Sequence, residues 1–197
     1  MIKIKYLYKI GIYAPIITIS GLYLYIVIKS KSNKPKLNII FDLDETLIYT
    51  NKISKYNNSN NSNMLKPEKY EITSNKKIWI RPGVYPIIPI LSKFNNLYLF
   101  TKATEPYALD ILTKTELNKY FVNKKFREDC KGTCKNIEKF GFVGYSLLID
   151  DKISNKCVNQ YIYHIPKFNC WTKYDTELVK IFFWIIWLNI LNDFKQL

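Results

Sequence analysis

Apolar residues in this chain fall into short blocks separated by polar stretches, and several blocks end directly on a carboxylate or hydroxyl. The longest block, Ile10 to Ile28 (IGIYAPIITISGLYLYIVI), is nineteen uncharged residues set between Lys9 and Lys29. At a rise of ~1.5 Å per residue, a helix of that length matches the hydrocarbon core of a bilayer. Tyr6, Tyr8, Tyr23 and Tyr25 fall near its ends, where amphipathic rings favour the interface, and Pro15 is tolerated in such a helix. The block is long for a secretory signal, and Ile26-Val27-Ile28-Lys29 offers no small-x-small cleavage site. The pattern therefore predicts an uncleaved membrane anchor over about 10–28. Lysines on both sides leave its orientation open.

A polar stretch, Ser30 to Lys36, separates this block from the rest. The expected domain organisation is an anchor with basic flanks over 1–36 and a folded domain over 37–197. Leu37-Asn38-Ile39-Ile40-Phe41, Leu97-Tyr98-Leu99-Phe100 and Ser146-Leu147-Leu148-Ile149 are compact apolar runs that fit buried strands. Residues 51–67 are low in complexity and read as a mobile loop. Tyr70 to Thr73 and Ile78 to Ile80, with Ser74-Asn75 between, suggest a hairpin. Helices are expected over Tyr85–Phe94, where Pro89 is awkward, and from Thr104-Glu105-Pro106 onward. A last helix should begin at a cap on Asp175 and reach about Asn192. Its apolar run, Ile181 to Leu188, is about half a bilayer span and is expected to pack rather than cross a membrane.

Strands alternating with helices predict an α/β domain with a parallel sheet. Asp42, Thr101 and Asp150 each follow directly on one of the apolar strands. Sites in open α/β sheets form at the carboxyl ends of strands, so the three point to one shared site.

Composition then narrows the classes. The chain has 197 residues, 30 basic and 16 acidic side chains, and 48% hydrophobic residues, enough for one packed domain. The formal charge of +14 first suggests nucleic acid or an anionic membrane. Seven lysines and no acid lie in residues 1–36, however, leaving 23 basic and 16 acidic groups on the other 161. Half the excess thus flanks the anchor, where it can grip anionic headgroups. With no helix-turn-helix, zinc finger or RNA-recognition signature, no nucleic-acid partner is expected. Cys130, Cys134, Cys157 and Cys170 lack zinc spacing and are expected to be reduced structural thiols. His164, the only histidine, argues against a Ser–His or Cys–His hydrolase and is expected to be structural.

Phe41-Asp42-Leu43-Asp44-Glu45-Thr46-Leu47 resembles the D-x-D-x-T signature of haloacid-dehalogenase-type phosphatases. Arg81-Pro82-Gly83, Leu99-Phe100-Thr101, Arg127-Glu128-x-Cys130, Lys135, Ile149-Asp150-Asp151, Ile165-Pro166, Trp171 and Asp175 to Leu178 follow in order. They are similar to stations of the carboxy-terminal-domain phosphatase-like (NLI-interacting-factor-like) branch, and the likeness covers roughly residues 37–190. It implies a Rossmann-like domain with a central parallel sheet, a small β-hairpin insertion and no large cap.

The chemistry gives these residue types a reason. Asp42 would attack phosphorus to form an aspartyl-phosphate, and Asp44 would protonate the leaving alkoxide and then deprotonate water. Thr46 would position the loop that holds both. Carboxylates gathered around a dianionic phosphate require a hard cation, and Mg²⁺ fits, with ligands from Asp42, the Asp44 carbonyl and Asp151. Asp150 would support the set. Thr101 would hydrogen-bond a phosphoryl oxygen, and Lys135 would neutralise developing charge. Lys131 and Lys139 lie close to Lys135 in sequence, and the assignment to Lys135 assumes one residue missing from the following helix. The resemblance further implies that Arg127 lies near a peptide substrate. Two departures, Lys152-Ile153 where the branch has a Ser-Pro-like pair and a shortened Arg127–Lys135 segment, touch the substrate side of the cleft.

The resemblance therefore implies a membrane-anchored, Mg²⁺-dependent phosphoserine/phosphothreonine protein phosphatase. It is most similar to Dullard-type enzymes of the nuclear envelope and endoplasmic reticulum. Its partners would be a phosphorylated protein and the membrane, with room for a membrane partner subunit. The alternative is the receptor subunit of the mitochondrial inner-membrane presequence translocase, which binds rather than hydrolyses. The absence of an Arg- and Ser-rich presequence ahead of the span weighs against it.

Overall fold

The computed structural model describes residues 36–195 apart from 53–67, 73–75, 131, 133, 143–144, 158–159 and 172–173, together with Gly21 and Lys29. The chain divides into two compact units, Met1–Pro35 and Lys36–Leu197, and both β-sheets belong to the second. Apart from Gly21, the expected anchor over 10–28 lies outside the described residues. Among those described, no helix is long and apolar enough to cross a membrane.

Five strands form a wholly parallel sheet: β1 (Asn38–Phe41), β5 (Asn96–Phe100), β6 (Asn123–Lys125), β7 (Ser146–Asp150) and β8 (Ile162–His164), in the order β6-β5-β1-β7-β8. The central strand β1 is buried along its whole length. That is why it reads as an unbroken apolar run instead of an alternation. Registers on either side pair Phe41 with Leu99 and with Ile149. Asp42 and Asp150 therefore leave the sheet side by side at its carboxyl end. The edge strands β6 and β8 were not legible in the sequence. They are three residues each and carry the polar, exposed or half-buried side chains of sheet margins.

Between β1 and the first helix lies a second sheet, β2 (Ile48–Lys52), β4 (Lys76–Ile80) and β3 (Glu68–Ile72), antiparallel in the order β2-β4-β3. The expected hairpin is present as β3 and β4, and β2 adds a third strand. Asn51 and Lys52, expected in the low-complexity loop, pair with Lys77 and Lys76.

Helix α1 (Val84–Phe94) starts at Gly83, whose φ of 94° lies in the left-handed region. A Cβ there would stand 3.0 Å from Ile87 Cδ1 and 3.4 Å from Leu178 Cβ, so glycine is required both by conformation and by space. Pro89 sits inside this helix, against the expectation that it would disturb it. It forgoes one backbone bond, and the buried face of Val84, Ile87, Ile88, Leu91 and Phe94 holds the helix in place. Helix α2 (Glu105–Lys114) begins after Thr104 with Pro106 in its first turn, as expected.

Helix α3 (Glu177–Lys195) runs a turn further than predicted. Its start is capped by Asp175, whose carboxylate accepts the Glu177 N–H at 3.0 Å. Leu178, Ile181, Phe182, Ile185, Ile186 and Asn189 face the core. Asn189 donates to the Asn95 side chain at 2.9 Å and so fixes α3 to the end of α1.

A buried ion pair ties these parts together. Arg81, 1% exposed, donates Nε to Asp175 at 3.0 Å, Nη1 to the Thr46 carbonyl at 2.9 Å and Nη2 to the Pro166 carbonyl at 2.7 Å. One side chain thus joins the loop after β1, the segment after β8 and the start of α3.

Candidate active site

The loop after β1 carries Asp42, Asp44 and Thr46. The turn is tight: Glu45 sits at φ 64°, and Leu47 and Ile48 both bond back to the Leu43 carbonyl. A non-glycine residue in the left-handed region marks a loop whose shape is imposed by its surroundings. Thr46 is fully buried, and its Oγ1 accepts the Asp151 N–H at 3.2 Å. It therefore links the two acidic loops.

Asp42, Asp150 and Asp151 are all buried, and each offers a carboxylate oxygen within 4.8 Å of the others. Lys135 enters this cluster from the segment just before the 3₁₀ turn Ile137–Phe140. Its ammonium, fully buried, lies 2.6 Å from Asp42 Oδ1 and 2.6 Å from Asp150 Oδ2. Burial would strip the proton from an isolated lysine, but the two carboxylates and their hydrogen bonds outweigh it and hold its pKa above the ordinary value. Asp150, expected only to support the site, is thus the anchor of Lys135. Its Oδ1 also accepts the Lys152 N–H and the Asn155 side-chain amide, each at 2.8 Å.

Asn155 was missed in the sequence. It is buried, its amide spans both Asp150 oxygens, and its backbone carbonyl accepts the Lys135 N–H at 2.7 Å. No local motif marks it, since the chain turns back through a short 3₁₀ turn, Ile153–Asn155, to place it there. His164, expected to be structural, lies with Nε2 2.9 Å from the Asp151 carbonyl oxygen.

Burial raises the Asp42 pKa to about 7; Lys135 opposes the rise and Asp150 adds to it. Three carboxylates and one ammonium would carry a formal charge of −2, so without a cation the cluster favours keeping a proton. A hard divalent ion with oxygen ligands would supply the missing charge, and this donor set fits Mg²⁺. No hydrogen bond to the Asp151 carboxylate is found among the described residues, and burial raises its pKa.

Asp44 faces the other way, toward the inserted sheet and α2. Its Oδ1 accepts the Tyr107 hydroxyl at 2.8 Å, and Tyr107 also pairs with Thr50 of β2 at 2.9 Å. Burial raises the Asp44 pKa, while the Tyr107 bond and the nearby Lys76 hold it down. The ammonium of Lys76 lies over the Tyr107 ring at 5.1 Å. The two motif aspartates thus occupy different surroundings, one against Lys135 and one against a phenol. Tyr107 too went unnoticed in the sequence, where it reads as an ordinary helix aromatic.

Thr101 is buried at the end of β5 and accepts the Ala103 N–H on Oγ1 at 3.1 Å, which leaves its hydroxyl proton to donate. Arg127 is exposed, and among the described residues no hydrogen bond or ion pair joins it to the carboxylates. Its Nε donates to the Lys102 carbonyl at 2.8 Å and its N–H to the Ala103 carbonyl at 3.0 Å, beside the Thr101 loop.

The cysteine expectation is corrected. Cys134 and Cys157 form a disulfide, with Cα atoms 5.3 Å apart, while Cys130 and Cys170 remain outside any disulfide. The 23-residue separation gave no sign of it; the pair is brought together because Lys135 pairs with Lys156 as an isolated parallel bridge. A cavity of about 300 Å³ lies elsewhere, at the amino-terminal ends of β1 and β7 against Trp184 and Leu188, and holds none of these groups.

The fold has counterparts among known proteins. Among solved structures, the chain is similar to the fission yeast RNA polymerase II CTD phosphatase Fcp1, in a substituted form bound to beryllium fluoride. The identity is 18% and the TM-score 0.56, with 76% of this chain and 45% of that chain covered. A second structure, of Fcp1 described as an essential RNA polymerase II CTD phosphatase, gives 18% identity and a TM-score of 0.55 over the same shares. The likeness is one of fold, and it spans less than half the length of those chains. No curated protein sequence matches. The model of the NLI interacting factor-like phosphatases matches residues 37–195, nearly the whole of the second unit, and the chain belongs to that family.

Proposed function

We propose that this protein is a Mg²⁺-dependent phosphoserine/phosphothreonine protein phosphatase, tethered to a membrane by residues 10–28, that works through an aspartyl-phosphate. The observation that carries the reading is the buried Lys135 ammonium held 2.6 Å from both Asp42 and Asp150, with Asp151 completing the carboxylate cluster. A structural ion pair needs one acid per base. Three acids around one lysine at the carboxyl ends of adjacent strands suit a site meant to gather a cation and a phosphate.

In this reading the Asp42 carboxylate attacks phosphorus, and the oxygen of the leaving serine or threonine takes a proton from Asp44. Asp44 then removes a proton from the water that opens the acyl phosphate. Lys135 offsets charge on the phosphoryl oxygens, and the Thr101 hydroxyl donates to one of them. Asp42 and Asp151, with the Asp44 carbonyl, would hold Mg²⁺, which when bound screens the acids from the phosphate and keeps Asp42 ionised. Arg127, beside the Thr101 loop, would meet the peptide, and the basic surface would favour acidic or phosphorylated partners. By its likeness to the Dullard-type enzymes, the tethered chain would act at the nuclear envelope or endoplasmic reticulum.

The test is hydrolysis of a phosphoserine peptide and of a small aryl phosphate by the full chain in detergent with Mg²⁺. Activity on both substrates that disappears in Asp42→Asn is expected. A wild-type chain that binds but does not hydrolyse, or activity retained in Asp42→Asn, would remove the proposal.

A further inference from the structure

Lys135 stands in no regular element. It lies between two short 3₁₀ turns, Arg127–Asp129 and Ile137–Phe140, and among the described residues its backbone is held by the isolated bridge to Lys156, through the hydrogen bond of its N–H to the Asn155 carbonyl. Isolated bridges are little pairing to hold a segment in water. The disulfide lies immediately beside it. Cys134 precedes Lys135 and Cys157 follows Lys156, so the covalent bond closes the same bridge that carries the lysine into the carboxylates. On the inner side, Asn155 is fastened to both Asp150 oxygens. Lys135, Asp150, Asn155 and the disulfide therefore form one short closed unit.

We propose that Cys134 and Cys157 are the positioning residues of Lys135, and that cleavage and re-formation of their bond switch phosphoryl transfer down and up. The inference rests on the role given to Lys135 under the proposed function. Both cysteines are partly exposed, so small thiols can reach the bond. In the oxidising direction the two thiols lose two electrons and two protons to an external disulfide of the glutathione type, which leaves as two thiols. In the reducing direction a dithiol attacks one sulfur, releases both cysteines as thiols and departs as its own cyclic disulfide. The other cysteines take no part. Cys170 is buried, and Cys130 packs at the edge of the apolar cluster around Ile40 and Phe100.

Losing the clasp frees the Lys135 backbone while the rest of the site stays in place. A group misplaced by about 1 Å costs on the order of 10²-fold in rate, and a group acting on the transition state affects kcat before KM. The full chain, purified without reductant, should therefore show the Cys134–Cys157 bond by peptide mass mapping. Dithiothreitol, or Cys157→Ser, should lower kcat about 10- to 100-fold with KM changed less than about twofold. Glutathione disulfide should restore the wild type and not the variant, and Cys130→Ser should respond to both reagents as wild type does. Amide exchange at Lys135, whose N–H is bonded to Asn155, should quicken on reduction. That readout needs no activity, so it decides the clasp even if Asp42-dependent hydrolysis is absent and the proposed function falls. Free thiols at Cys134 and Cys157 in the purified chain, an unchanged kcat after the bond is cut, or unchanged exchange at Lys135 would each overturn the proposal.

Discussion

Removing one oxygen atom, in Tyr107→Phe, separates the roles assigned to the two motif aspartates. The ring stays, with Lys76 above it, but the bond to Asp44 at 2.8 Å and the pairing with Thr50 at 2.9 Å are lost. A hydrogen bond to a charged group is worth about 1.5–3 kcal/mol, and each ~1.4 kcal/mol is a factor of ten. If Asp44 is the acid that this bond aims, its loss lowers the rate about 10- to 100-fold wherever the leaving oxygen needs a proton. A serine alkoxide needs one, whereas a nitrophenolate leaves without. The assay is therefore kcat/KM on a phosphoserine peptide beside kcat/KM on nitrophenyl phosphate, for wild type and variant. The peptide should suffer the full loss and the aryl ester little. The Tyr107 bond also holds the Asp44 pKa down, so its removal moves the optimum for the peptide toward higher pH. Equal losses on both substrates, or none on either, would refute the assignment of Asp44 as the aimed acid.

Other consequences arise from the packing and the charge. Asp175→Ala leaves the Arg81 guanidinium buried without its carboxylate and removes the cap of α3; urea unfolding should show a loss of about 3–5 kcal/mol, largely recovered in Arg81→Met/Asp175→Leu. Asp42 in the metal-free fold binds its proton up to about pH 7, against 3.8 for the ordinary group, so the folded state holds more protons than the unfolded one between those values. Stability of the metal-free chain should then fall as pH rises from about 4 to about 7, by at most ~1.4 kcal/mol per pH unit, and added Mg²⁺ should reverse the fall. Asn155→Ala takes two donors from Asp150 and should lower kcat on aryl and alkyl phosphates alike, because it disturbs Lys135 and not the acid.

The legible part of the fold was the part governed by burial on both faces. β1, β5 and β7 are continuous apolar runs, each ending where the sheet meets the site, so Asp42, Thr101 and Asp150 announced themselves by position. The edge strands carry no such signature because half their surroundings are water. The site divides in the same way. Asp42 and Asp44 sit in a local motif, and Lys135 could be reached only by its order along the chain. Asn155, Tyr107 and the disulfide partners depend on contacts across 5 to 63 positions, between elements whose meeting no short window records. Cys134 and Cys157 illustrate the point: too widely and irregularly spaced to suggest a pair, they meet because Lys135 and Asn155 bond to each other.

The central claim is that a phosphoryl group passes through Asp42. It is tested most directly by quenching the full chain in acid during turnover of a phosphorus-labelled substrate and mapping the label. A hydroxylamine-sensitive acyl phosphate is expected on the peptide containing Asp42, absent in Asp42→Asn and accumulating from an aryl phosphate in an Asp44 variant whose water attack is slowed. Turnover with no covalent label, or label that persists on that peptide in Asp42→Asn, would contradict it.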